Sequence, residues 1–374
     1  LTACGWPHMH PFSKGKPMAE IVLGIGTSHS PMLGQSAEQW PEQAKYDLRN
    51  QELAFAPSGN VLTYDQALAV ADPIHATLAT QERFNVQHAA TQAAIGRMIE
   101  AFANAKPDVV VAISDDQDEL FFEDNMPAFS VYWGDSIPII PRAARPGSNP
   151  KAAFFSWGYG DELVLPTHGA LGRHIIEHMI ANHFDVSHFN YINDNYGGQV
   201  TRRYPREDGG EQAVRTTEPR PMGLPHGHAF VVRRIQENRP VPMVPIFQNT
   251  CYPPNQPTPS RCFAFGQAIR DAIESWDSVE RVAVVASGGL SHFTLDEETD
   301  RMLLDGLEKD DAETLSSIPR HRLHSAASEM LNWVTLGGVM HENDLNYELI
   351  DYVPVTRTPA GTGGGWGFAQ WTQT

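Results

Sequence analysis

The chain has 374 residues, 41% of them hydrophobic and 19% charged, enough to bury a sizeable core in one large domain or two closely merged lobes. Its 45 acidic against 27 basic residues give a formal net charge of −18, a field that repels polyphosphate and argues against a nucleic-acid partner. No apolar run approaches the roughly 20 residues that a membrane helix needs.

Residues 1–17 lack the basic start and apolar core of a signal peptide. Met18 directly precedes the first strand-like segment, so the stretch before it, with His8 and His10, reads as an expression remnant or a disordered extension. Residues 18–374 read as a single α/β domain. The three cysteines, Cys4, Cys251 and Cys262, have no CxxC spacing, which argues against a disulfide framework or a structural zinc site and makes a reducing cytoplasm the expected compartment.

The first strand, 21–25, runs into Gly26-Thr-Ser-His29-Ser-Pro31. Ligands of α/β sheets collect at the carboxyl ends of strands, so His29 stands where a metal ligand would; the alternative is a loop histidine without a role. Segment 37–105 reads as a mostly helical insertion. It closes with a helix over 85–104 that sets Val86, Ala89, Ala93, Met98 and Phe102 near a helical repeat. A second strand, 109–113, delivers the acidic run Ser114-Asp115-Asp116-Gln117-Asp118-Glu119. Four carboxylates in five positions repel one another unless a cation or hydrogen-bond donors are near. The bland reading is a solvated acidic loop, which the apolar Leu120-Phe-Phe that follows should pull inward.

Long Pro- and Gly-bearing connections are expected over 134–165, 193–224 and 351–367, and loops of that length usually build or cover a site. Arg202, Arg203, Arg206, Arg215 and Arg220 fall in the second. They read as a carboxylate clamp, since Arg binds carboxylates bidentately, or as a charged surface loop. Weaker strands are expected near 184–191, 229–232 and 241–247. In His226-Gly-His228 the two rings would face opposite sides of a strand, so one is expected in a site and the other outside it.

A helix over 263–276 carries Phe265, Ile269, Ala272, Ile273 and Trp276. The third clear strand, 282–286, repeats the plan of the first and leads through Ser287-Gly-Gly-Leu-Ser291 to His292. Glycines there let backbone approach a ligand, and a histidine suits acid/base work near neutral pH. A last helix, 324–336, is closed by Gly337-Gly338 as a C-terminal cap pair. It holds Glu329 among Ala326, Ala327, Met330, Leu331 and Trp333, either buried with a partner or on the exposed stripe.

Alternating strands and helices predict an α/β fold with a central mixed sheet flanked by helices and its active site at the carboxyl ends of strands. A His–His–carboxylate set with open positions suits non-haem Fe(II), and zinc hydrolysis would use similar ligands. No dinucleotide fingerprint, P-loop or GxSxG elbow accompanies it. Residue patterns alone reach a metal-dependent α/β enzyme and stop there.

Taken in order, Gly26–Pro31, Pro107–Val111, Tyr252-Pro-Pro254 with Arg261–Ala264, Ser287–His292 and Glu329–Trp333 resemble the class III extradiol ring-cleavage dioxygenases, the family of the catalytic subunit of protocatechuate 4,5-dioxygenase. The resemblance runs from Ile21 to about Trp371. It implies that His29 and Glu329 bind Fe(II), with Mn(II) as the alternative ion. It further implies that His292 is the acid/base residue and that His226 contacts substrate. A catechol-type aromatic acid as substrate, O₂ as co-substrate and a homo-oligomer follow from the same resemblance, and a homodimer is expected as the commonest assembly.

One position departs from the family pattern. Where the family has Asn-Asp-His, this chain has Asp115-Asp116-Gln117, and Gln117 is expected to be the second ligand through its amide oxygen. His75, His168 or a carboxylate of the cluster are the other candidates. A branch acting on methoxylated or biphenyl aromatic acids resembles the chain here and in Gly361–Trp371. Segment 37–105 is additional to the catalytic subunit of two-subunit enzymes and is expected to replace their small subunit. Two other readings stay open. One is a non-catalytic relative serving as a binding module, favoured by the altered ligand and disfavoured by His292 beside Glu329. The other is a zinc-dependent hydrolase, which needs neither O₂ nor a diol.

Overall fold

The apolar runs at 21–25, 109–113, 241–247 and 282–286 become four parallel neighbours in one sheet. The protein is described by a computed structural model over residues 18–51, 53–55, 58–141, 161–193, 198–205, 211–217 and 222–373, except for the side chains of 200, 202–205, 211–213 and 325. Eight strands form the main sheet: β1 (Glu20–Thr27), β2 (Val109–Asp115), β3 (Phe129–Tyr132), β4 (Ser187–Phe189), β5 (Met243–Gln248), β6 (Arg281–Ser287), β7 (Asn346–Thr356) and β8 (Gly363–Thr372). Their order is β7-β8-β1-β6-β2-β5-β3-β4. The central β1, β6, β2 and β5 run parallel. Antiparallel β8 and β7 extend one side, and antiparallel β3, paired in parallel with β4, extends the other. The sheet is mixed, as the alternation of strand and helix patterns predicted.

Both faces are covered, which is why the strands are apolar throughout rather than alternately. Val109, Val111 and Ile113 enter one core, while Val110 and Ala112 enter the other. In β1 the register slips between Ile21 and Leu23, so these two residues point into opposite cores although they are two positions apart. Helix α1 (Gln81–Ala105) covers one face. Helices α2 (Gly169–Ala181), α4 (Pro259–Glu274), α5 (Glu297–Glu308) and α6 (Met330–Met340) cover the other. A short helix, α3 (His226–Phe230), lies between α2 and α4 in the chain and joins the α1 face. Among the described residues no helix is long and apolar enough to cross a membrane.

Several sequence expectations are corrected. Helix α1 forms where expected, capped by Thr80, whose hydroxyl accepts from Arg83 N. Its buried stripe, however, is Phe84, Thr91, Ala94, Ile95, Met98 and Phe102, and Val86, Ala89 and Ala93 are exposed. Alanines carry too little apolar surface to fix the phase of a helix. The expected strand at 229–232 is helical, with α3 continuing into a π-turn at Val231–Ile235. The expected loop at 351–367 is mostly the β7–β8 hairpin, since glycine-rich strand and loop read alike. Connections 134–165 and 193–224 contain two-stranded ribbons, Ser136–Ile139 with Leu163–Pro166 and Gln199–Pro205 with Glu211–Thr217. Gly337 and Gly338 do not end the last helix, which runs on to Met340. A Cβ on Gly338 would sit 2.0 Å from Phe263 O, so the missing side chain lets α6 lie directly on α4.

Within 37–105 the chain forms short helices and a small ribbon, Leu53–Phe55 with Asn60–Leu62, before α1. A buried ion pair ties this segment to the β7–β8 turn. Arg357 Nε and Nη2 donate to the two oxygens of Asp47 at 2.7 and 3.1 Å, and Thr362 Oγ1 adds a third bond at 2.9 Å.

Candidate metal centre

Because β1, β6 and β2 are parallel and in register, Thr27 lies beside Ser287 and Ser287 beside Ser114. The residues that follow each strand therefore emerge at one edge of the sheet. That edge brings together His29 after β1, Asp115 at the end of β2, and the turn from Gly288 to His292 after β6. Glu329 reaches the same point from the 3₁₀ turn Ser325–Glu329 ahead of α6. His29 Nε2 lies 3.3 Å from Glu329 Oε2, and His292 Nε2 lies 3.2 Å from Glu329 Oε1. Ligand atoms of His29, Asp115 and Glu329 lie within 4.8 Å of one another, and all three residues are buried.

The hydrogen bonds around His29 settle its tautomer. Ser287 Oγ donates its proton to Gly227 O at 2.7 Å, so it can only accept from His29 Nδ1–H at 3.1 Å. His29 Nε2 then carries a lone pair aimed at a carboxylate oxygen. Burial, against the pull of Glu329, holds this imidazole down at about 4 and hence neutral. Two acceptors face each other across 3.3 Å with no proton between them. That arrangement suits a cation and little else.

The carboxylates are fixed from several sides. Glu329 Oε2 accepts from Gly289 N at 2.6 Å and Oε1 from Gln117 Nε2 at 2.6 Å. Asp115 Oδ1 accepts from Asn332 Nδ2 at 3.0 Å, and Oδ2 from Gln117 Nε2 at 3.1 Å. Burial and then the charge of Glu329 push the Asp115 carboxyl up to about 8. Burial would raise Glu329 as well, but the charge and hydrogen bond of His292, with the amide of Gly289, outweigh it and keep it ionised well below the usual carboxylate range. A carboxyl held neutral beside a buried carboxylate is one that a cation would ionise by taking the place of its proton, and an imidazole with two carboxylates is a set that a divalent ion accepts. The residues present fit a metal.

Two further histidines complete the group. His292 Nδ1–H donates to Leu290 O at 2.7 Å, which leaves Nε2 as the atom that takes or gives a proton. Burial lowers its pKa, yet the charge and hydrogen bond of Glu329 raise it more. His226 is gripped twice by Glu119, through its backbone N at 2.8 Å and ring Nδ1 at 2.7 Å, and its ring meets His29 edge-on at 4.7 Å between centroids. Burial pulls His226 down, but Glu119 overrides it and lifts the imidazolium to about 9. His228 turns away, hydrogen-bonds Ile246 O at 3.0 Å and is pushed down to about 4 by burial. His226 thus joins the group of buried polar residues and His228 does not, and both stand on a helix rather than the expected strand. Residues two apart on a helix also diverge, by about 200°.

The structure thus gathers His29, Gln117, Glu329, His226 and His292, and adds Asp115, Glu119, Ser287 and Asn332. Gln117 presents its NH₂ group to both carboxylates. His168 caps α2 and pairs with Glu280 at 2.8 Å, ahead of β6 and about 20 Å along that strand from its carboxyl end. His75 packs against Gly361. The acidic run is resolved by donors: Asp116 accepts the amides of Glu119, Leu120 and Phe121, while Glu119 holds His226. Of the arginine cluster, Arg215 is exposed and pairs with Glu123 at 3.2 Å. Arg206 and Arg220 lie outside the described residues, as do the side chains of Arg202 and Arg203. Asp115 was legible as a strand-end residue and Asn332 as one turn beyond Glu329. The grip of Glu119 on His226, 107 positions away, left no local signal.

The family described as the catalytic LigB subunit of aromatic ring-opening dioxygenase matches residues 74–363, a span that includes Asp115, Gln117, His226, His292 and Glu329 and begins after His29. Among curated proteins, gallate dioxygenase of Pseudomonas putida is 29% identical over 214 residues, covering 54% of this chain and 51% of that protein. The chain therefore spans about half the length of this curated relative. Among solved structures, an uncharacterized protein from Escherichia coli aligns with a TM-score of 0.42 and 10% identity over 74% of this chain and 91% of its own.

Proposed function

This chain belongs to the family of the catalytic LigB subunit of aromatic ring-opening dioxygenases, and on that footing we propose that it is a non-haem Fe(II)-dependent extradiol dioxygenase opening the ring of a catechol-type aromatic acid with O₂. The observation that carries the reading is the convergence of His29 Nε2 and His292 Nε2 on the two oxygens of Glu329. His29 and Glu329 would hold the ion, Fe(II) first and Mn(II) as the alternative. A third donor comes from the strand end at 115–117, where the sequence pattern puts Gln117. Bound there, the ion supplies redox chemistry and an open face at which a diol and O₂ can meet.

The remaining work falls to the chain's own groups. Ser287 keeps the His29 Nε2 lone pair free, and Gly289 N fixes the Glu329 carboxylate. His292 Nε2–H donates to Glu329 Oε1; with that carboxylate taken up by an ion, Nε2 would release this proton, accept that of the second substrate hydroxyl and return it later, with Nδ1–H anchored on Leu290 O. The His226 imidazolium, held by Glu119, pairs with an anionic oxygen of the substrate. Burial keeps bulk water from the reacting atoms. We further read residues 18–374 as one catalytic domain with 37–105 as an insertion, clamped by Asp47 and Arg357. A homodimer is the proposed assembly. The cytoplasm is the proposed compartment, which suits the free thiols of Cys251 and Cys262.

The test is O₂ uptake by anaerobically purified, Fe(II)-loaded protein against catechol, protocatechuate, gallate and 3-O-methylgallate, with Glu329→Ala as control. Uptake with a yellow ring-opened product, absent in the variant, is expected. Zn(II)-dependent hydrolysis under argon without O₂ uptake would replace this reading with a hydrolase. Diol binding without iron or turnover would replace it with a binding module.

A further inference from the structure

One imidazole and two carboxylates of this centre lie close enough together to share an ion, and they are not the set that a two-histidine pattern would supply. Asp115, the last residue of β2, joins His29 and Glu329 in the group whose ligand atoms lie within 4.8 Å. Gln117 stands two residues further on, and its amide nitrogen donates to Asp115 Oδ2 at 3.1 Å and to Glu329 Oε1 at 2.6 Å. Glu329 is ionised and can only accept, so the closer of the two contacts, at 2.6 Å, takes the NH₂ group, and reversing the amide would set its carbonyl oxygen against a carboxylate. The end of the amide that faces the carboxylates is the end that cannot ligate a cation. Asn332 Nδ2 holds the other oxygen of Asp115 at 3.0 Å. Asp115 is therefore oriented by one amide on each oxygen, as a ligating carboxylate is in a built site.

We propose that Asp115 is the third protein ligand of the centre, and that Gln117 is a positioning residue whose NH₂ group spans the Asp115 and Glu329 carboxylates. The inference rests on reading this centre as a metal site. It deepens that reading by fixing the ligand set as one imidazole and two carboxylates. Such a set carries two negative charges, neutralises a divalent ion in full, and favours hard ions such as Mn(II) and Fe(II) more than a two-imidazole set does.

Equilibrium binding of Mn(II), and of Fe(II) under argon, to the whole chain tests this without any diol or O₂. Asp115→Asn is nearly isosteric and should weaken binding at least tenfold. Gln117→Ala should weaken it within the range of about 10–100-fold seen when an orienting partner is lost. Gln117→Glu gives opposite signs for the two assignments. Placed against two carboxylates, a third one weakens binding; placed on the ion as a ligand, it tightens binding. Tighter binding by Gln117→Glu, or unchanged binding by Asp115→Asn, would overturn the proposal, with circular dichroism and melting of each variant confirming its fold. Failure of ring opening with this binding pattern intact would sink the proposed reaction and leave the ligand set standing.

Discussion

Ser287 Oγ accepts the Nδ1–H of His29 across 3.1 Å while giving its own proton to Gly227 O at 2.7 Å. One hydroxyl thus decides which nitrogen of a buried histidine, 258 positions earlier in the chain, keeps its lone pair. The pairing follows from the register that places Thr27 against Ser287.

Ser287→Ala removes this constraint. Metal affinity should fall by about 10–100-fold, and leaving His29 Nδ1–H and Gly227 O without a partner should cost about 1–3 kcal/mol of stability. A metal titration alongside a denaturant melt checks both. Unchanged affinity would refute the tautomer argument.

His292→Gln should leave metal binding near that of the parent chain while ring opening falls by about 10²–10⁴-fold, the usual contribution of a general acid/base. The two readouts separate His292, which reaches Glu329 only through a hydrogen bond, from a ligand. If metal binding collapsed together with turnover, the acid/base assignment would fail.

Asp300 predicts a pH dependence of stability. It accepts from Ser291 N at 2.7 Å, Ser291 Oγ at 2.8 Å and Tyr352 OH at 2.7 Å, yet burial outweighs these bonds and lifts its carboxyl from 3.8 to about 7. The folded chain keeps a proton that the unfolded chain releases, so this contribution is complete below about pH 4 and is lost as pH rises through about 7. Asp300→Asn should flatten the fall in melting temperature across that window. A slope identical to the parent's would show that the group titrates normally.

Gly338→Ala should destabilise the fold by about 1–3 kcal/mol through overpacking, because the new Cβ would lie 2.0 Å from Phe263 O. Urea unfolding measures it. A neutral result would mean that α6 can lift off α4 without penalty.

Much of the site was legible in the chain itself. His29, Glu329 and His292 each follow a local rule: a histidine after a buried strand, a carboxylate in an apolar helix start, a histidine after a glycine turn. The sheet's parallel heart was legible too, because strands covered on both faces must be apolar at every position. The glycine pair after 336 and the glycine run in 361–367 misled. Glycine marks a turn in sequence, as Gly361 does at φ +74, but Gly338 lets α6 lie against α4 and the glycines from 363 on lie within the paired strand β8.

The sequence by itself determined which residue types stand at the strand ends, since short-range order and apolar pattern are written locally. Only the tertiary structure decided how those ends meet. Register across β1, β6 and β2 sets which donors share a point, and contacts over more than 200 positions, such as Gln117 with Glu329 and Asn332 with Asp115, orient them. A side chain's ligating atom is chosen by the hydrogen bonds its neighbours make, and those neighbours are assigned by folding.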